Sequence, residues 1–471
     1  MRHVLIQCAL VTALIIGGVA VGYTHDLNSA PSPAPATSRE SPAVTLFQNV
    51  RIFWGKGSEL SGPSHVLVRG NQIEKISSQP ISLDRRGDSV IIDAAGRTLM
   101  PGLIDAHTHM MFANVPQLVL MTSDVTYSAV VATKGANEML LRGFTSSRDM
   151  GGPIFGLKRA IDQGLVPGPR IWPSGATISQ TAGHGDFRMP NDFPSRPGDH
   201  SFAERVNATA IADGVPAVLQ RSREQLAMGA SQIKVMAGGG VASLDDPLDV
   251  NQYTSAEMRA AVDAAANWGT YVTVHAYTPG AVRQAVQAGV KCIEHGQLLD
   301  EATIKFLGEN GIWLSLQPFT GDKDTFTYAD PMSTAKYAQM VAGTDQAYRW
   351  SKQHKVKVAF GTDALFDANL AARQGAQLTK LTRWYSPAEV LTMATSTNAE
   401  LLALSGPRNP YPGKLGVVEE GALADLLLVD GNPLENIKLI EDPEKNFLVI
   451  MKDGRIYKNL LRCSMECQTS H

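Results

Sequence analysis

The middle of the chain repeats one unit, in which a short apolar run is followed by a stretch with helical patterning. Each run has the length and composition of a buried strand. Eight runs occur, near residues 102–105, 145–148, 170–172, 232–236, 271–275, 291–294, 313–316 and 357–360. Eight strand–helix alternations are typical of a parallel (β/α)₈ barrel, in which chemistry lies at the carboxyl ends of the strands. The sequence therefore predicts an α/β fold, a TIM-type barrel over residues 101–407.

Three helix starts carry a capping signature, a Ser or Thr followed three residues later by Glu. They are Thr254 with Glu257, Ser386 with Glu389, and Thr397 with Glu400. We expect each hydroxyl to accept a hydrogen bond from the first turn of a helix.

Both flanks of the barrel segment have a different texture, with short apolar runs separated by Gly, Asn and Asp. In the second flank the Asp453-Gly454 pair stands between two apolar runs, which is a strong signal for a hairpin. We expect residues 44–100 and 408–460 to pair into one small β-sandwich domain.

The amino terminus has the pattern of an exported protein. Residues 1–3 include one basic residue, residues 4–21 are almost entirely apolar, and Pro, Ser and Ala dominate the stretch that follows. This pattern predicts a signal peptide at 1–22, or an uncleaved membrane anchor, and a disordered linker at 23–43. The expected location is the periplasm or the exterior, with membrane tethering if the segment is retained.

The charge of the chain bears on its partners, and its cysteines bear on disulfide bonds. The 471 residues carry a formal net charge of -3 and no basic run interleaved with aromatics, so nothing favours nucleic acid or an anionic membrane. Of the four cysteines, Cys292 lies in a predicted strand. Cys463 and Cys467, in the tail at 461–471, could pair in an oxidising compartment.

Two histidines end the first predicted strand. His107 and His109 are two residues apart, so both point to the same side of the strand. Alone, such a pair is more often structural than functional. At a barrel strand end, two adjacent imidazoles form half of a site for Zn²⁺ or a similar ion.

Three later strands also end in metal-binding residue types. His275 and His295 end the fifth and sixth runs, and Asp363 follows the eighth. Any one of them could be a buried polar group with an ordinary hydrogen bond. Their coincidence at one predicted face indicates a metal centre.

Lys234 lies inside an apolar run that leads into a Gly-rich segment. A lysine in a buried strand is costly unless it is paired or chemically altered. Two interpretations stay open. Its ammonium pairs with a carboxylate such as Asp363, or CO₂ converts it to a carbamate that bridges two metals.

These motifs together resemble the amidohydrolase superfamily, in its imidazolonepropionase-related branch. The matching elements are residues 101–109, Lys234, His275, residues 294–296 and residues 361–363. The resemblance extends over nearly the whole mature chain, and Lys234 makes it closest to binuclear members. Those members include Xaa-Pro and Xaa-Arg dipeptidases and ochratoxin-hydrolysing amidohydrolases.

The resemblance implies a division of roles among six residues around two divalent metal ions, with Zn²⁺ expected. His107, His109 and Asp363 would hold one ion, His275 and His295 the other, and carboxylated Lys234 would bridge them. Two cations that share a water lower its pKa toward neutrality. Asp363 would take the proton and pass it to the leaving amine.

Two further residues are candidates for contact with substrate. His184, in a Gly-rich loop after the third run, could hydrogen-bond a developing oxyanion, or could simply bond to the backbone. Tyr277, at the predicted rim, is similar in position to a tyrosine that binds the substrate carboxylate in the dipeptidase-like members. The alternative is that Tyr277 simply packs over the pocket. Arg148 and Asp149 are expected to form an internal ion pair.

The leading functional hypothesis is hydrolysis of the amide bond of dipeptides or N-acyl amino acids, ochratoxin-like amides included. A second keeps the site but changes the bond to a cyclic amide, a lactone or a phosphotriester. A third is a non-catalytic assembly module, which would be expected to have lost ligands. The expected partners are a small-molecule substrate and, from the resemblance alone, further copies of the chain in a homo-oligomer.

Overall fold

The computed structural model describes residues 43–461 apart from 84–88, 189–198, 244–245, 327 and 329. The predicted signal peptide, the predicted linker up to residue 42, and the tail from 462 with Cys463 and Cys467 lie outside the described residues. Within the described part of the chain, no helix is both long enough and apolar enough to cross a bilayer.

The strands are β1 (Val44–Ile52), β2 (Ser64–Arg69), β3 (Gln72–Ser77), β4 (Ser89–Asp93), β5 (Thr98–Pro101), β6 (Leu103–Thr108), β7 (Phe144–Asp149), β8 (Arg170–Pro173), β9 (Thr177–Ser179), β10 (Thr209–Ile211), β11 (Ile233–Met236), β12 (Val272–Ala276), β13 (Cys292–His295), β14 (Trp313–Leu316), β15 (Val358–Phe360), β16 (Leu426–Val429), β17 (Phe447–Lys452) and β18 (Arg455–Asn459).

The α-helices are α1 (Gln117–Thr122), α2 (Val125–Leu141), α3 (Phe155–Asp162), α4 (Phe202–Arg205), α5 (Val215–Ala227), α6 (Ser255–Asn267), α7 (Pro279–Ala288), α8 (Glu301–Glu309), α9 (Pro331–Gln353), α10 (Ala368–Ala372), α11 (Gln374–Thr379), α12 (Pro387–Thr392), α13 (Asn398–Leu402) and α14 (Pro443–Asn446). Shorter 3₁₀ segments span Lys380–Arg383, Ala403–Arg408 and Ile437–Ile440, and a π-helical turn spans Met393–Thr397.

Two parallel sheets form the centre of the molecule. One has the order β6-β7-β8 and the other the order β10-β9-β11-β12-β13-β14-β15. All eight predicted runs form strands in these sheets, which confirms the α/β architecture. The short strands β9 and β10 were not predicted, because three residues are too few to give a periodic signal.

The central strands are buried on both faces. Every residue of β11, β12, β13 and β14 is buried. Helices follow these strands along the chain and cover the sheet, so both faces of each strand need apolar side chains, and this gives the continuous apolar runs of the sequence. Polar residues within such strands are therefore exceptions that need partners.

A mixed sheet combines strands from both ends of the described chain, in the order β18-β17-β16-β5-β1-β2-β3, with β4 beside β1. The link between the flanks is the antiparallel pair β5–β16, in which Leu426 lies opposite Pro101. The hairpin predicted at Asp453-Gly454 is confirmed between β17 and β18. Both turn residues have positive φ, 54° and 71°, as a two-residue hairpin turn requires.

Two of the three predicted helix starts are confirmed. Thr254 and Ser386 each form a full capping box with the Glu three residues on. The third prediction was wrong: Thr397 has helical backbone angles and directly precedes α13 as part of the π-helical turn. A cap needs extended backbone and unpaired N–H groups after it, and a helix that simply continues offers neither.

Candidate metal centre

The ends of four parallel strands deliver five of the predicted ligands to one place. His107 lies in β6 with His109 just beyond it, His275 lies in β12, His295 ends β13, and Asp363 follows β15. His107 Nε2 and His109 Nε2 are each 3.4 Å from Asp363 Oδ1. His295 Nδ1 is 3.9 Å from Asp363 Oδ2.

The four imidazole rings form a continuous group. Ring centroids are 5.3 Å apart for His107 and His109, 5.0 Å for His107 and His295, and 4.5 Å for His275 and His295. The sequence placed these rings at one face of the fold, and the structure brings them together there.

The donor set fits a divalent cation. Among the described residues, His107 Nε2 and Asp363 Oδ1 are buried without a hydrogen-bond partner. Unpartnered buried polar atoms are rare in folded proteins and call for an explanation. His107, His295 and Asp363 each offer a ligand atom within 4.8 Å of the others. Imidazole nitrogen with carboxylate oxygen is a typical Zn²⁺ environment.

Glu294 fixes the orientation of His107. Its Oε2 accepts a hydrogen bond from His107 Nδ1 at 2.7 Å, and its Oε1 accepts one from Arg148 Nη2 at 2.6 Å. Burial alone raises the pKa of Glu294, but the charges of Arg148 and His107 hold it well below its usual range. A carboxylate behind a histidine ligand sets its tautomer, which leaves Nε2 free for a metal.

This geometry corrects the expected ion pair of Arg148 with Asp149. Arg148 pairs with Glu294, and Asp149 instead accepts the backbone N–H of Met110 at 2.8 Å. Neighbouring residues on a strand point to opposite faces, so Arg148 and Asp149 cannot meet. The sequence motif at 294–296 contains Glu294 but assigns it no role, although a charged residue in an apolar strand is a usable signal.

The other histidines are oriented in the same way. Each has one ring nitrogen bonded to an oxygen of the protein, so the remaining nitrogen is available to the site. The bonds join His109 Nδ1 to Gly151 O at 3.1 Å, His275 Nε2 to Gly239 O at 3.0 Å, and His295 Nδ1 to Gln317 Oε1 at 2.8 Å. Sequence analysis missed Gln317, which follows β14 and could have been found by the strand-end rule.

Lys234 lies in β11, 1% exposed, and lines the same cavity as His275 and Asp363. Burial lowers the pKa of its ammonium to about 8. Among the described residues the ion-pair contacts of Asp363 are with His107, His109 and His295, while the charges of Glu294 and Asp363 oppose the lowering of the Lys234 pKa. A lowered pKa increases the neutral amine, which is the form that adds to CO₂.

The backbone is strained at two predicted ligands. His295 has φ 80° and Asp363 has φ 49°, a region that side-chain-bearing residues seldom adopt. Between β15 and Asp363 stands Gly361, where a Cβ atom would lie 2.5 Å from His107 Cβ. The absence of a side chain at 361 allows Asp363 to approach His107.

Burial sets the charge state of the site. It lowers the pKa of His107 to about 4 despite the opposing effect of Asp363, and it holds the pKa of His275 and of His295 well below the usual value. For Asp363, burial raises the pKa, but His107, His109 and His295 together bring it below the usual range. Neutral imidazoles and an ionised carboxylate are the forms that bind metal.

His184 and Tyr277 both lie beside this centre. The His184 ring stacks on that of His275 with centroids 4.0 Å apart, and burial lowers its pKa to about 4. Tyr277 differs from the expected rim position. It is 3% exposed, and its hydroxyl donates to Met340 Sδ at 3.4 Å.

A cavity of about 180 Å³ that opens to solvent lies above these residues. His109, His184, Lys234 and Asp363 contribute to its polar surface. The rest of the lining is largely apolar and includes an aromatic wall of Phe112, Phe187, Phe319, Phe326, Tyr328 and Tyr337. No local sequence signal indicated this wall, in which Phe112 and Phe187 meet four residues from the segment at 319–337.

Residues 98–457 match the model of the amidohydrolase family. This chain belongs to that family. Ochratoxinase of Aspergillus niger is 32% identical over 382 residues, which cover 76% of this chain and 75% of ochratoxinase. The family resemblance and the prediction of a hydrolase that acts on C–N bonds are thereby confirmed.

Solved structures of this amidohydrolase's relatives agree. A prolidase complexed with N-methylphosphonate-L-proline is 36% identical with a TM-score of 0.80, covering 88% of this chain and 100% of the prolidase. A Xaa-Pro dipeptidase with methionine bound in its active site is 28% identical with a TM-score of 0.76, again covering 88% and 100%. These neighbours imply the TIM-barrel fold for this chain.

Proposed function

We propose that this amidohydrolase is a binuclear metal-dependent enzyme that cleaves the amide bond of dipeptides or N-acyl amino acids, ochratoxin-like amides included. The observation that carries the proposal is the convergence of four histidines and Asp363 beside the cavity that Lys234 also lines. Relatives named ochratoxinase, prolidase and Xaa-Pro dipeptidase support amide and peptide bonds as the target.

Six residues would hold two cations. His107, His109 and Asp363 would hold one, His275 and His295 would hold the other, and Lys234, once carboxylated by CO₂, would be a ligand shared by both. Zn²⁺ is the metal that histidine-rich sites of this kind favour. When bound, the cations supply hydroxide at neutral pH and polarise the scissile carbonyl.

The chain's own groups then orient the substrate and move the proton. Asp363, ionised in the folded protein, takes the proton of the attacking water on its carboxylate and delivers it to the nitrogen of the leaving amine. Glu294 holds the His107 ring in place throughout, since its bonds to His107 and Arg148 do not involve the substrate.

The aromatic wall favours substrates with a bulky apolar group. Phe319 and Tyr337 lie 6.2 Å apart, and Phe326 and Tyr328 pack edge to face at 4.5 Å. Burial of an aromatic group against such a surface contributes roughly 25 cal/mol per Å² of apolar area. We therefore expect aromatic acyl or side-chain groups to be preferred over small polar ones.

Several wider features belong to the same proposal. The two parallel sheets form one closed (β/α)₈ barrel, and the mixed sheet forms a β-sandwich from residues 44–100 and 408–460. The segment at 1–22 directs export, and the enzyme acts on small molecules as a homo-oligomer.

The test is hydrolysis of a dipeptide and N-acyl-amino-acid library by Zn²⁺-loaded protein, with Lys234→Ala beside it. We expect turnover of a few members with apolar groups, and a loss of at least about 100-fold in the variant. The metal content measured for the Lys234→Ala variant should fall from two ions per chain toward one. Lys452→Ala is the matched control, since Lys452 is also buried in a strand but donates to Gly168 O, at 2.8 Å.

Two outcomes would overturn parts of this proposal. Turnover that survives Lys234→Ala would indicate a one-metal site without a bridging carbamate. Zn²⁺-loaded protein that hydrolyses no member of the library would exclude these amides and direct the search to lactones and cyclic amides.

A further inference from the structure

The mouth of the cavity above the metal centre differs from its floor. On the floor, Lys234, His275 and His295 are buried. At the mouth, six apolar side chains that line the same cavity are all partly exposed to solvent, and we call them the apolar collar. They are Leu120, Met121, Val125, Phe202, Leu365 and Leu370.

The collar begins beside two proposed metal ligands. Phe112 follows His109 on the way to α1, and the two rings stack with centroids 6.3 Å apart. Phe366 follows Asp363, and its backbone N–H donates to Phe112 O at 3.2 Å. This hydrogen bond ties together two of the segments that carry the collar, so the apolar path starts at the metal centre and leads outward.

Phe202 is held at the mouth by a fixed turn. It is the first residue of α4, which begins with a full capping box between Ser201 and Glu204. Arg221, from α5, donates to Glu204 at 2.9 Å and anchors this turn. An apolar ring that is 37% exposed gains little burial from such a position in the protein alone. Its fixed place on the cavity indicates contact with a ligand.

The apolar surface continues outward along α1. Leu118 and Met121 are three residues apart and therefore share one face of the helix. They are 72% and 38% exposed, and α1 contains no charged residue. Single exposed apolar residues are ordinary, but a continuous apolar path from a cavity to the surface is typical of a site for an apolar ligand.

The charge of the lining limits which part of a substrate fits the collar. Among the described residues, Lys234 and Asp363 are the charged residues that line the cavity besides the histidines, and both belong to the proposed metal centre. A carboxylate at the collar would lose its water without gaining a cationic partner, which is costly. The collar therefore suits an uncharged aliphatic group and disfavours the carboxylate of a leaving amino acid.

We propose that the apolar collar is a subsite for an extended aliphatic acyl chain, so that the preferred substrates are N-acyl amino acids with a long acyl group. This inference rests on the proposed amide hydrolysis, because an amide held at the metal centre carries its acyl group and its amino acid on opposite sides of the scissile bond. The aromatic wall is then available to the side chain of the leaving amino acid.

The first experiment measures kcat/KM of the Zn²⁺-loaded protein for acetyl-, hexanoyl- and decanoyl-phenylalanine, at concentrations too low for micelles. Complete burial of one methylene group would raise kcat/KM about fourfold. Because the collar is partly open to solvent, we expect about twofold for each methylene, or about 100-fold or more between acetyl and decanoyl. A kcat/KM that does not rise with chain length would overturn the proposal.

The second experiment tests the collar residues with a double variant, Met121→Ser with Phe202→Ser. Both positions are partly exposed, so the variant should fold. The ratio of kcat/KM for the decanoyl compound to that for the acetyl compound should fall about tenfold. The matched control is Leu165→Ser with Met228→Ser, at positions 72% and 45% exposed that lie outside the cavity lining. This control should keep the wild-type ratio, and equal ratios in the two double variants would overturn the proposal.

Calorimetry of the same three compounds separates this inference from the proposed function. Absence of turnover would count against the proposed function alone. A Kd that falls with chain length would then still support the collar, and an unchanged Kd would overturn it.

The alternative occupant of the collar is a second copy of the chain. Light scattering of the wild type and of the collar double variant tests this alternative. A flat chain-length series together with a smaller assembly in the variant would overturn the acyl subsite in favour of a contact between copies.

Discussion

Glu294 is the residue on which the orientation of the site and the stability of the core both depend. It is fully buried and bonds to His107 on one side and Arg148 on the other. Thr273 donates to the same carboxylate. Arg148 also donates to the backbone oxygen of Ala106 at 2.6 Å, so one ion pair ties β7, β6 and β13 together.

The change Glu294→Gln should therefore have two separable effects. Loss of the carboxylate behind His107 should weaken metal binding by about 10–100-fold. The uncompensated charge of buried Arg148 should lower the free energy of unfolding by about 3–5 kcal/mol. Competition with a chelator measures the first effect, and urea unfolding of metal-free protein measures the second. Glu309→Gln, at an exposed position of α8, should change neither; a normal metal affinity in Glu294→Gln would contradict the orienting role.

At the scale of elements, the close approach of β15 to β6 creates the site. Asp363 N donates to His107 O at 2.8 Å, and Thr362 Oγ1 donates to Asp105 Oδ2 at 2.7 Å. These bonds hold the segment after β15 against the strand that carries His107. Gly361 lies at the point of closest contact, where a Cβ would also lie 2.7 Å from His107 N.

The change Gly361→Ala should separate the two strands. Backbone atoms cannot move aside as the end of a side chain can, so we expect a loss of about 1–3 kcal/mol in the free energy of unfolding. Activity should fall by more than stability explains, because Asp363 would move away from His107. Denaturant unfolding and kcat at saturating Zn²⁺ measure both. Gly62→Ala, where nothing lies within 4 Å, is the control, and equal behaviour of the two variants would refute the argument.

The elements also show what a sequence can and cannot predict. Strand ends were predictable, since a buried parallel strand needs a continuous apolar run, and His107, His275, His295 and Asp363 follow from that rule alone. The same local signature occurs at Thr254 and at Thr397, but only Thr254 caps a helix. At Thr397 tertiary packing keeps the backbone helical, so the chain continues from one helical segment into the next.

Contacts between distant segments were beyond the sequence for a different reason. The aromatic wall has no periodic signal, and only the folded chain brings Phe112 and Phe187 to the cavity that Phe319 and Tyr337 also line. Such residues can be recognised from a single sequence only if their position relative to the strand ends is already known.

For the whole molecule, one charged group joins the parallel strands to the mixed sheet. Arg170, at the start of β8, donates to Asp425 at 2.9 and 3.1 Å and to Asp453 at 2.7 Å. Burial alone raises the pKa of Asp453, but the charge of Arg170 and its hydrogen bond bring the pKa below its usual value.

A lowered pKa in the folded state gives a stability that depends on pH. The contribution of Asp453 is present above its unfolded pKa of about 3.9 and is lost as pH falls through the lower folded value. Asp453→Asn should therefore be less stable than the wild type at pH 7, and the difference should shrink below about pH 4. Urea unfolding midpoints of both metal-free proteins across this range measure it. A difference that does not change with pH would show that the charge of Asp453 is not the cause.

Metal removal tests the whole molecule at once, because ligands from four strands meet at the centre. A cation that binds only the folded state stabilises it by about 4 kcal/mol when present at 1,000 times its dissociation constant. Chelation should therefore lower Tm, and added Zn²⁺ should restore it. The Tm of His107→Ala should change less on chelation and on Zn²⁺ addition, since the substitution removes a ring nitrogen that is buried without a hydrogen bond among the described residues. The Tm of His200→Ala, a change at an exposed position, should shift by as much as that of the wild type. If chelator and Zn²⁺ leave the Tm of the wild type unchanged, the ligands do not hold a metal, and their convergence needs another cause.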